Sequence, residues 1–88
     1  MDVEIHPHAL KHLTAEEVMS AWWSIQKCIQ RQSDDEPPRW LAMGFLPSGK
    51  TVELVMVETL TGWLIIHAKS PAEPKFMREI ERTERGEI

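Results

Sequence analysis

The sequence has no tyrosine, only four glycines and a single cysteine, Cys28. One thiol excludes an intramolecular disulfide and fits a reducing compartment. No apolar run approaches the length needed to span a bilayer. The opening stretch, MDVEIHPHALKH, lacks the apolar core and cleavage pattern of a secretory leader. Positive charge is also scarce. Ten Lys and Arg face fourteen Asp and Glu, for a formal charge of −4 and a pI of about 5.5. That excludes strong general attraction to nucleic-acid phosphates or anionic membranes, but leaves room for a local basic patch. Repeats and low-complexity tracts are missing as well. The expectation from these absences is a soluble, cytoplasmic protein that does not engage membranes.

What is present suits one small domain spanning residues 1–88. A chain of this length buries a limited share of its surface, so four tryptophans matter. Residues 6–12, HPHALKH, read as one or two helical turns with Pro7 at a first helical position. Thr14-Ala15-Glu16-Glu17 fits a capping box. Val18, Trp22, Ile25 and Ile29 then recur at helical spacing, with Met19 and Trp23 widening the apolar face. Adjacent Trp22 and Trp23 diverge by about 100° on a helix, so one of the pair points outward. This second helix is predicted to fade near Gln32, before the polar linker Ser33-Asp34-Asp35-Glu36-Pro37-Pro38. Cys28 falls on it as a packing residue.

Three strands are predicted at 39–46, 50–58 and 63–69. They are separated by Pro47-Ser48-Gly49 and Leu60-Thr61-Gly62, breaks short enough for hairpins. A two-residue Ser48-Gly49 loop sets Phe45 opposite Val52, Met43 opposite Leu54, Leu41 opposite Met56 and Arg39 opposite Glu58. One face then carries Leu41, Met43, Phe45, Val52, Leu54, Met56, Trp63 and Ile65, ending in His67 and Lys69. The other carries Trp40, Ala42, Val55, Val57, Leu64, Ile66 and Ala68. Two apolar faces need cover from helices or from a second copy, so a homodimer is one outcome. A last helix over 71–84 presents Phe76, Met77 and Ile80. The expected fold is α+β: a three-stranded antiparallel meander with two N-terminal helices and one C-terminal helix.

Several segments resemble BrnT-like toxins. His8-Ala9-Leu10-Lys11-His12-Leu13-Thr14-Ala15-Glu16-Glu17 is similar to their Lys-His-Gly, Ser/Thr-x-Glu-Glu opening, without the glycine after His12. Arg39-Trp40-Leu41-Ala42-Met43-Gly44 resembles their first meander strand, Ser48-Gly49-Lys50 their turn, and Ile65-Ile66-His67-Ala68-Lys69 the strand entering their final helix. The likeness covers roughly residues 8–81. It implies a RelE-type ribonuclease toxin of a bacterial type II toxin–antitoxin pair. Such a toxin cuts mRNA without a metal or other cofactor, and a small DNA-binding antitoxin neutralises it.

Metal-free RNA cleavage needs a base for the ribose 2′-hydroxyl, an acid for the leaving oxygen, and cations around the phosphorane. Under that resemblance His67, Lys69 and His12 are the catalytic candidates, and Lys11, Lys75, Arg78 and Arg39 the RNA-binding ones. Histidine suits proton transfer near neutral pH. Lys75 and Arg78, three apart on the last helix, share a face toward the strand end. The plainer reading makes His67 a strand-end histidine with solvated lysines around it, and Arg39–Glu58 a cross-strand ion pair. It corresponds to a non-catalytic interaction module. His8 and His12, four apart, have helical metal-ligand spacing, but only Asp2 or Glu4 could complete a set, so no metal is assigned.

Overall fold

The computed structural model describes residues 2–86. In chain order the elements are β1 (Asp2–Ile5), a 3-10 turn (Pro7–Leu10), α1 (Ala15–Trp23), β2 (Lys27–Gln30), β3 (Trp40–Phe45), β4 (Thr51–Glu58), β5 (Gly62–Lys69) and α2 (Pro74–Glu84). They form an α+β fold around one five-stranded sheet of order β1-β5-β4-β3-β2. β1 runs parallel to β5, and the other neighbours are antiparallel.

The fold therefore departs from a three-stranded antiparallel meander. The β3-β4-β5 meander exists, but it forms the centre of a mixed sheet with an added strand at each edge. The two expected N-terminal helices reduce to one. Residues 7–10 make only a 3-10 turn, and α1 stops at Trp23. The early stop has a clear cause in Ser24. Its hydroxyl donates to Ser20 O at 2.8 Å and accepts the Phe45 N–H at 2.8 Å, diverting the chain toward β3. Ile29 kept the helical spacing but serves β2. There it packs on the face opposite that of Val18 and Ile25. Cys28 consequently sits exposed on an edge strand and not in a helical core.

The start of α1 follows the sequence closely. Thr14 Oγ1 accepts the Glu17 N–H at 3.1 Å, and Glu17 Oε1 accepts the Thr14 N–H at 2.9 Å. Thr14→Ala removes one of these reciprocal bonds. It should lower stability by about 1 kcal/mol, read from the urea midpoint at unchanged slope.

The helices divide between the two faces. Val18 and Ala21 of α1, with Ala9 and Leu13, cover Ala42, Val52, Leu54, Met56, Ile65 and Ala68. Phe76 and Ile80 of α2 cover Leu41, Met43 and Val55. Three of the tryptophans lie on the α1 side, where Trp63 meets Trp22 at 6.1 Å and Trp40 at 5.8 Å between ring centroids. Trp23 points away, 77% exposed.

Register differs by one step from the expected pairing. The Leu46 N–H donates to Lys50 O, and the Gly49 N–H to Leu46 O, each at 2.9 Å. The loop thus holds three residues, and Gly49 takes the left-handed conformation at φ 92° that such a loop requires. Phe45 faces Thr51, Met43 faces Glu53 and Leu41 faces Val55. A one-residue slip exchanges the faces of a strand. Leu41, Met43 and Phe45 accordingly lie under α2, away from Val52, Leu54 and Met56. The β3–β4 pairing sets Trp40 opposite Met56, one step short of the register that would bring Arg39 opposite Glu58.

A second irregularity sets up the candidate site. Val55 pairs with His67 while Met56 pairs with Ile65, leaving Ile66 as an extra residue in β5. Such a bulge re-aims the side chains that follow it. Trp63 and Ile65 remain on the α1 face, but His67 and Lys69 turn to the α2 face.

Candidate functional site

The site forms where the end of β5 and the start of β4 meet the first residues of α2. Glu53 sits on β4 opposite Met43 on one side and Lys69 on the other. It is the only charged residue among the buried ones described, at 6% exposure. Such a carboxylate needs donors, and it has two. Oε2 lies 2.8 Å from Nε2 of His67, and Oε1 accepts the Glu73 backbone N–H at 2.7 Å. Glu53 thereby joins β4, β5 and the beginning of α2.

The connection from β5 to α2 is tied down by Thr51. Its carbonyl accepts the Ser70 hydroxyl at 2.7 Å, and its hydroxyl accepts the Ala72 N–H at 3.0 Å. Pro74 then opens the helix at a position that needs no N–H donor, and Glu73 caps it without a side-chain bond. The Glu73 carboxylate turns instead to the Lys69 ammonium. That hydrogen bond, then the attraction between the charges, raises the Lys69 pKa and lowers that of Glu73. His67 and Lys75 lie close enough to add to the lowering at Glu73.

The imidazole is the exposed end of this assembly. The His67 side chain is 41% exposed, against 8% for Glu53. A carboxylate behind an accessible imidazole can orient it for proton exchange with a solute. Lys69 and Lys75 supply positive charge nearby, that of Lys69 shared with Glu73.

The remaining sequence candidates are spread out. Lys11 and His12 are exposed beyond the 3-10 turn, on the segment whose Ala9 and Leu13 pack against the opposite face of the sheet. His12 therefore does not join His67 and Lys69. Arg78 is exposed farther along α2. Arg39 precedes β3, two residues before Leu41, which is level with His67 but two strands away, and its carbonyl accepts the Arg31 N–H at 2.8 Å. Arg31 pairs with Glu79 instead, at 2.8 Å. Glu53 was absent from the sequence candidates, although one signal marked it: a single carboxylate within Val52-Glu53-Leu54-Val55-Met56-Val57, an otherwise apolar run.

His6 and His8 lie edge to face at 4.7 Å, and His6 Nδ1 accepts the His8 N–H. Among the described residues no group of three or more His, Cys, Asp or Glu side chains could hold a metal ion. No helix among them is long and apolar enough to cross a membrane. A scan against protein-family models and searches of curated proteins and of solved structures returned no match.

Proposed function

We propose that the chain is a metal-independent endoribonuclease acting on mRNA in the bacterial cytoplasm, the toxin half of a toxin–antitoxin pair. One observation carries the reading: an accessible imidazole held by a buried carboxylate, with an amine two residues along the same strand. In this scheme His67 takes the proton from a ribose 2′-hydroxyl. The new oxygen–phosphorus bond forms as the bond to the 5′-oxygen breaks, giving a cyclic phosphate, and water returns a proton to the leaving oxygen. Lys69, exchanging Glu73 for the phosphate, and Lys75 offset the charge that develops on phosphorus. The likeness of the His67 and Lys69 segment to BrnT-like toxins supports the same reading. A small DNA-binding antitoxin is then the expected partner.

A second reading is a non-catalytic interaction module. Trp23, 77% exposed on α1, favours it by offering a large apolar side chain to a partner, a second copy included. Inducing the chain alone in a bacterial host separates the two. The nuclease reading expects growth arrest, relieved by His67→Ala or Lys69→Ala, and cleavage of mRNA by purified protein in the presence of a chelator. Normal growth together with intact RNA would leave only the interaction module.

A further inference from the structure

We infer that Glu53 is a positioning residue that fixes His67 as the Nε2–H tautomer and makes Nδ1 the nitrogen that exchanges a proton with substrate. The inference rests on the nuclease reading for its catalytic half, and on geometry alone for the tautomer. Glu53 Oε2 stands 2.8 Å from Nε2. An ionised carboxylate only accepts hydrogen bonds, so Nε2 must donate. In a neutral ring the lone pair then resides on Nδ1. Among the described residues Nδ1 has no hydrogen-bond partner, and the side chain is 41% exposed.

The carboxylate is itself held in place. It is 6% exposed, and its other oxygen accepts the Glu73 N–H at 2.7 Å. That backbone donor follows Ala72, which is anchored to Thr51. Glu53 cannot turn to solvent without abandoning the start of α2. The ring is therefore oriented by the sheet and the helix together, the arrangement that proton transfer requires of a catalytic imidazole.

Long-range nitrogen–proton NMR on the ¹⁵N-labelled chain reads the tautomer directly and does not depend on activity. The neutral wild-type ring should show a protonated Nε2 and an unprotonated Nδ1. Glu53→Gln should shift the ring toward the Nδ1–H tautomer, because the amide carbonyl keeps the Glu73 N–H and the amide nitrogen that then faces Nε2 can only donate to it. RNA cleavage by that variant should fall about a hundredfold, within the usual contribution of a positioned acid or base. A wild-type ring protonated at Nδ1, or a mixture of tautomers, overturns the inference even where the variant fails to fold. Undiminished cleavage by a variant whose ring has shifted to Nδ1–H overturns the positioning role. An unaltered chain that cuts no RNA overturns the nuclease reading and the catalytic half with it, while its spectrum still decides the tautomer.

Discussion

Gly44→Ala should lower the melting temperature by about 15 °C. Gly44 is buried on β3, directly beneath α1. A Cβ there would fall within contact distance of the Ala21 carbonyl oxygen and 2.8 Å from its carbon. These are backbone atoms and cannot rotate away as the tip of a side chain can. Nor is α1 free to lift. The Ser20 hydroxyl donates to Phe45 O at 3.3 Å, and the Phe45 N–H donates at 2.8 Å to the Ser24 hydroxyl, which is itself bonded to Ser20 O. Relieving the clash strains these bonds or opens the layer beneath Val18 and Ala21. Overpacking of this kind costs about 3 kcal/mol, which for a domain of this size gives the shift stated. Circular-dichroism melting measures it. A fall of only a degree or two would mean that α1 slides over β3 freely and that the serine clamp holds nothing.

Glu53→Ala should destabilise the fold by about 2 to 3 kcal/mol. The substitution leaves two donors behind, and they fare differently. His67 is 41% exposed, so its ring can be rehydrated. The Glu73 N–H belongs to a part-buried bond beside the start of α2 and has no ready replacement. Most of the loss should therefore appear at the helix. Hydrogen exchange ought to quicken along 77–84 more than along β4 and β5, and urea unfolding should report the total. Glu53→Gln, whose carbonyl can still accept from Glu73, should lose about half as much. Equal losses for the two variants, or faster exchange spread evenly through the sheet, would refute the claim that this carboxylate tethers α2.

Much of the central sheet was readable from local chemistry. β3, β4 and β5 begin and end within about a residue of their expected limits, because apolar runs bounded by glycine-bearing turns leave few alternatives. Thr14 and Glu17 named the start of α1 correctly. Phe76 and Ile80 marked the inner face of α2, which begins at Pro74 and not at Pro71. The outer strands were harder to see. Each has four residues, too few for a decisive alternation. Ile29 also happened to continue a helical spacing that ended at Ser24. The β1–β5 pairing joins residues far apart in the chain, and no local signal encodes it.

Register failed for a comparably small reason. Ser48-Gly49 and Pro47-Ser48-Gly49 are both acceptable hairpin loops, yet they place opposite faces of β3 against α1. The bulge at Ile66 was equally hidden, since Trp63, Leu64, Ile65 and Ile66 form one apolar run with no alternation to break. At the candidate site His67 and Lys69 were visible as cationic residues closing an apolar strand. Glu53 was masked by the run around it. His12 was grouped with them by likeness to toxins, which carries no information about which side of the sheet it occupies.

The parallel pairing at the sheet edge also orders events during synthesis. Asp2 lies beside Gly62, sixty positions later, and among the described residues β1 has no sheet neighbour other than β5. A nascent chain leaving the ribosome therefore carries β1 unmatched while the β2–β3 and β3–β4 hairpins can already zip. Only when β5 emerges does β1 find its place, so a strand made before the hairpins is enrolled after them.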